Sequence, residues 1–118
     1  WAARHGGATA PTAREAALGA SAVLACVGDD DDLRGVCLGV DGAFAGMDPG
    51  ALFVDHTTVS ARVTRELAEE AAARGLGYVD APVSGGQRGA ETGQLSIMCG
   101  GAPEDYARAE PVLAAYAK

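Results

Sequence analysis

The sequence predicts an α/β fold, a mostly parallel sheet with helices on its faces. Three observations point there. Short unbroken apolar runs of strand length recur along the chain, amphipathic stretches of helical period separate them, and each run is followed by a polar or glycine-rich segment. Alternation of this kind implies right-handed crossovers, and in such sheets ligands gather at the carboxyl ends of the strands. With 118 residues, 48% of them apolar, the chain can bury one core, so a single domain is expected.

Trp1 to His5, followed by Gly6 and Gly7, reads as the end of a helix, and a short helix is expected around Thr12 to Leu18. Ala22 to Val27 is the first strand, expected to be buried on both faces because it is apolar without alternation. The aspartates from Asp29 to Asp32 suit the first turn of the next helix, where carboxylates favour the positive end of the dipole. Gly39 to Gly50 is an irregular connection around a short helical turn. Ala51 to Val54 and Gly77 to Val79 are further strands, ending on Asp55 and Asp80. Between them Ser60 is placed to cap a helix whose apolar stripe is Val63, Leu67, Ala68, Ala71 and Ala72, with Gly75 as its stop. Leu95 to Cys99 is expected as a fourth strand, closed by Gly100 and Gly101. A last helix opens at Pro103, carries Tyr106, Ala109, Leu113 and Tyr116 on one face, and is expected to bend or break at Pro111.

Composition removes several function classes. A formal charge of −7 with scattered basic residues disfavours a nucleic-acid or anionic-membrane surface. No apolar run approaches the length of a membrane span. Cys26, Cys37 and Cys99 have no metal-ligand spacing and read as reduced, mostly buried thiols in a reducing, cytoplasmic setting.

The most informative stretch is Asp80 to Gly86, a strand running into Ser84 and two glycines. Local physics leaves two readings: a tight strand-to-helix turn, or a cradle in which bare backbone N–H groups at Gly85 and Gly86 converge on a carboxylate with the Ser84 hydroxyl as a further donor. Upstream, Thr57, Thr58 and Ser60 follow a strand end and can serve the opening turn of the next helix. His56 has no identifiable carboxylate or serine partner in sequence and is given no catalytic role. Asp32 is a candidate acceptor for a ribose hydroxyl.

Residues 80–101, DAPVSGGQRGAETGQLSIMCGG, closely resemble the substrate-binding signature of the beta-hydroxyacid dehydrogenases, a group that includes 3-hydroxyisobutyrate dehydrogenases and tartronate semialdehyde reductases. The resemblance implies a Rossmann-like cofactor domain of the 6-phosphogluconate dehydrogenase type, a nicotinamide cofactor (NAD or NADP), and hydride transfer to or from a small 3-hydroxy acid or its semialdehyde. It implies that Ser84, Gly85 and Gly86 hold the substrate carboxylate and that Thr58 sits beside the nicotinamide. Residues 23–29, VLACVGD, resemble the segment that lines the adenosine side of the cofactor and usually ends in Leu-Pro; Val27 and Gly28 stand there instead.

Two features of such enzymes have no counterpart in the sequence. There is no G-x-G-x-x-G turn, and Lys118, the only lysine, is the final residue, before the helical domain that carries the catalytic lysine in the family. The expectation is therefore an incomplete sheet, with the first βαβ unit and the C-terminal helical domain absent, and residues 1–118 as the second part of a dinucleotide-binding domain, inactive alone. The parent would be a homo-oligomer binding a small carboxylate. The competing readings are a non-catalytic carboxylate- or partner-binding relative and an imine reductase-like enzyme.

Overall fold

The computed structural model describes the whole chain, Trp1–Lys118. In order it contains α1 (Ala2–His5), α2 (Ala13–Ala17), β1 (Ala22–Ala25), α3 (Asp30–Cys37), α4 (Ala43–Gly46), β2 (Leu52–Asp55), α5 (Ala61–Ala73), β3 (Gly77–Asp80), β4 (Val83–Ser84), α6 (Gly86–Thr92), β5 (Ser96–Ile97), β6 (Gly100–Gly101) and α7 (Pro103–Leu113). The main sheet has the order β1-β2-β3-β6, with the first three strands parallel and β6 antiparallel. The α/β architecture read from the sequence is the one observed.

Alternation along β2 divides the core between the two faces. Phe53 and Tyr78 point to one face, where they stack with centroids 5.7 Å apart and meet Leu33, Cys37, Phe44, Val63, Leu67 and Ala71 from the helices. Leu52, Val54 and Val79 point to the other, under Ala109 and Leu113 of α7. All four residues of β2 are buried, as a central parallel strand requires. Thr12 caps α2 by accepting from the Glu15 N–H, Asp29 caps α3 through the N–H groups of Asp31 and Asp32, and Ser60 caps α5 through that of Val63. No helix is long and apolar enough to cross a membrane.

Four expectations are corrected. β1 is not buried on both faces: it is the outermost strand, paired only with β2, and Leu24, on the same face as Val54, is 43% exposed because α7 packs over β2 and β3 instead. Leu95 to Cys99 does not add a parallel strand. Residues 96–101 instead run antiparallel to residues 79–84 in one continuous register, Val79 opposite Gly101 and Ser84 opposite Ser96. The ladder is interrupted at Ala81 and Pro82, since proline has no N–H to give, although the Pro82 carbonyl still accepts from the Met98 N–H at 3.0 Å. Helix α7 is not broken by Pro111 and continues to Leu113, because a proline in the last turn forfeits one bond with little helix left to lose. Only Cys37 among the three thiols is buried; Cys26 lies just past the end of β1 and Cys99 opposite Ala81, both on the open rim.

Helices α2 and α4 pack at backbone contact. A Cβ on Gly46 would lie 2.0 Å from the Arg14 carbonyl oxygen, which cannot swing away as a side chain could. Gly46→Ala is therefore expected to destabilise the fold by about 1–3 kcal/mol through overpacking, measured as a lowered denaturation midpoint.

Candidate functional site

The parallel register brings the carboxyl ends of three strands to one rim. Ala25, Asp55 and Asp80 are lateral partners, so the chain leaves β1, β2 and β3 side by side. The exits are tied together: His56 N–H donates to the Ala25 carbonyl at 2.8 Å and Ala81 N–H to the Asp55 carbonyl at 2.7 Å.

Beneath the rim lies a buried carboxylate. Asp55 is fully buried and accepts from the Tyr78 hydroxyl at 3.0 Å and from the Thr57 N–H at 2.9 Å. The Thr57 hydroxyl, also buried, accepts from the Val27 N–H at 3.1 Å. Thr57 therefore joins the ends of β2 and β1 rather than opening α5, a task left to Ser60. Ser60 also donates its N–H to Asp30 Oδ1 at 2.9 Å and its hydroxyl to Asp30 Oδ2 at 2.5 Å, linking the starts of α3 and α5. The hydroxyl of Ser60, followed by its N–H, holds the Asp30 carboxyl below the usual range. Burial, then the nearby Asp55 charge, pushes the Tyr78 hydroxyl up and the Cys37 thiol up to about 12, so both stay protonated. The same two causes, burial first, raise Asp80.

His56 is held at both ring nitrogens. Nδ1 lies 2.7 Å from the Ala81 carbonyl and Nε2 lies 2.8 Å from the Tyr116 hydroxyl. A carbonyl can only accept, so Nδ1 carries a hydrogen, and in the neutral ring Nε2 then accepts from the Tyr116 hydroxyl. Burial, then Cys99, raises Tyr116 and keeps it a donor. Both ring nitrogens are thus engaged within the chain.

The residues singled out from sequence lie at these strand exits. Thr58 stands on the exit of β2, and Ser84, Gly85 and Gly86 stand on the exit of β3, where they lead into α6; all four are exposed. A shallow polar concavity beside the loop is lined by Gly85, Arg88, Gly89, Thr92 and Gln94. On the exit of β1, Val27 is half-buried and Gly28 exposed, and a Cβ on Gly28 would lie 2.5 Å from Asp32 Oδ2. Glycine at this position thus lets the Asp32 carboxylate lie against the main chain.

The family description "NAD binding domain of 6-phosphogluconate dehydrogenase" matches residues 1–118. The chain belongs to this NAD-binding family. An uncharacterized oxidoreductase of Shewanella frigidimarina is 48% identical over 118 residues, which is 100% of this chain and 40% of that protein. A 3-hydroxyisobutyrate dehydrogenase of Pseudomonas aeruginosa is 40% identical over 109 residues, 92% of this chain and 37% of its own length. Among solved structures, a Mycobacterium tuberculosis 3-hydroxyisobutyrate dehydrogenase with L-serine superimposes with a TM-score of 0.90 at 36% identity, covering 98% of this chain and 39% of that one. The chain thus spans about 40% of the length of the relatives it matches.

Bare backbone at Gly28 and an acceptor carboxylate at Asp32 lie together and open, and Thr58 is exposed on the neighbouring strand exit. Sequence reasoning missed Asp55, Tyr78 and Tyr116 as parts of the rim's support. The available signal was an aspartate closing a strand of four buried residues, together with two tyrosines placed in apolar stripes, where a buried hydroxyl needs a partner.

Tyr78→Phe removes one of the two donors to a buried carboxylate and is expected to cost about 1–3 kcal/mol, read as a lower unfolding midpoint at neutral pH. Asp80 gives a pH-dependent expectation. Its folded pKa is raised, so its contribution to stability is full below the ordinary aspartate range and is lost as pH rises through the raised value. Asp80→Asn should therefore flatten the fall in stability across that window, checked by thermal melts from acid to neutral pH.

Proposed function

We propose that residues 1–118 form the second part of the cofactor domain of an NAD(P)-dependent dehydrogenase acting on a small 3-hydroxy acid or its semialdehyde. One observation carries the reading: Thr58 and Ser84-Gly85-Gly86 leave neighbouring parallel strands on one rim, and all are open to solvent. In this reading a carboxylate held at one exit lies beside a pyridine ring held at the other.

In this reading the Ser84 hydroxyl and the N–H groups of Gly85 and Gly86 bind the acid group, and Thr58 flanks the nicotinamide. Val27 and Gly28 line the adenosine side, and Asp32 accepts from a ribose hydroxyl. When bound, NAD(P) supplies the hydride acceptor. The residues of this chain orient the acid so that its hydroxyl-bearing carbon faces that acceptor. The proton on the substrate hydroxyl is handled by a lysine outside residues 1–118, and the working enzyme is a cytoplasmic homo-oligomer of longer chains.

The test is NAD(P)-dependent oxidation of short 3-hydroxy acids, L-serine among them, by the full-length protein. Absence of turnover across the panel would count decisively against the reading. Gly85 adopts φ 131°, where any side chain is strained, so Ser84→Ala is the cleaner probe of the cradle. Losing one donor to an ionised carboxylate should raise KM for the acid by about tenfold and leave KM for NAD(P) unchanged. Thr58→Val should show the reverse pattern, weakening cofactor use while an acid's own affinity is retained.

A further inference from the structure

We propose that His56 and Tyr116 form a positioning clamp that sets the substrate loop against the cofactor side of the rim. This rests on the reading of Ser84-Gly85-Gly86 as the acid cradle and assigns a function to a histidine whose two ring nitrogens are both engaged within the chain.

The geometry is specific. Residues 82–84 are held on one side by the antiparallel ladder, through Met98 N–H to the Pro82 carbonyl and the pairing of Val83 and Ser84 with Ile97 and Ser96. That ladder fixes the loop to its own hairpin and says nothing of its distance from β2. Two bonds at the root of the loop do so: Ala81 N–H to the Asp55 carbonyl, and His56 Nδ1–H to the Ala81 carbonyl. His56 directly precedes Thr57 and Thr58, so the side chain that grips the root of the acid loop belongs to the segment that carries the nicotinamide neighbour. Tyr116 braces the ring from behind, donating to Nε2 and meeting it edge-on with centroids 5.6 Å apart. Tyr116 is itself pinned, because its carbonyl accepts from the Leu95 N–H and Lys118 N–H donates to the Leu95 carbonyl. The clamp therefore joins three segments distant in sequence.

The two nitrogens can be separated by substitution in the full-length protein. An asparagine amide can replace Nδ1 toward Ala81, whereas a glutamine amide reaches toward Tyr116 and leaves Ala81 without its donor. His56→Gln is expected to raise KM for the acid about tenfold, with KM for NAD(P) within about twofold of wild type, and His56→Asn is expected to restore the acid KM. Tyr116→Phe should fall between them. A second readout needs no turnover: hydrogen–deuterium exchange over residues 81–88 should quicken in His56→Gln while that of α5 is unchanged. Parallel loss of acid and cofactor affinity, equal behaviour of the Asn and Gln variants, or unchanged exchange in the loop would each overturn the clamp. If wild type shows no turnover but exchange in the loop responds as expected, the assigned activity fails while the clamp stands.

Discussion

A fully buried aspartate is the constraint on which the rim depends. Taking a carboxylate out of water is costly unless donors replace the hydration, and Asp55 has two, one from Tyr78 on the adjacent strand and one from the Thr57 main chain just beyond its own. Each donor is thereby fixed in place. Thr57, held by its N–H, presents its hydroxyl to the Val27 N–H and closes the gap to β1. The exits of all three parallel strands are thus set by a polar network, in a part of the sheet where apolar packing alone would leave the loops free to slide.

Above that network the chain becomes irregular in a controlled way. Residues 79–84 and 96–101 would form an ordinary antiparallel ribbon, but the missing N–H of Pro82 opens the ladder in its middle. Ala81, at a non-hydrogen-bonded position of that ribbon, turns its N–H and carbonyl the other way, to the Asp55 carbonyl and to His56. Beyond it Ser84 and the two glycines emerge exposed, carried on segments tied to neighbours on both sides. The loop thus combines open access with a fixed root.

Much of this was legible in the residues. The apolar runs at 22–27, 51–54 and 77–79 marked the parallel strands, and Asp29 and Ser60 marked two helix starts through chemistry that acts within four residues. The DAPVSGG stretch identified the loop and, through its resemblance, the family. Less legible were pairings whose partners are far apart in sequence. Leu95 to Cys99 has the composition of a strand, yet nothing local says whether it runs parallel in the main sheet or folds back along residues 79–84. Ala22 to Val27 is apolar enough for a central strand, and its exposure at Leu24 reflects only which neighbours the sheet order supplies. Cys26 and Cys99 were expected inside on residue type and lie outside because both fall at strand ends on the open rim.

By itself, then, the sequence determined the α/β alternation, the Ser60 cap, the acidic start of α3 and the glycine-rich stretch after Asp80, because these follow from periodicity and from side chains acting on their own backbone. Only the tertiary structure decided that Thr58 and Ser84 share a rim, that Asp55 unites Tyr78 with Thr57, and that His56 is taken by Ala81 and Tyr116. Those contacts join residues 23, 25 and 60 positions apart, and hydrogen bonds over such separations are chosen by sheet register, which no local pattern encodes.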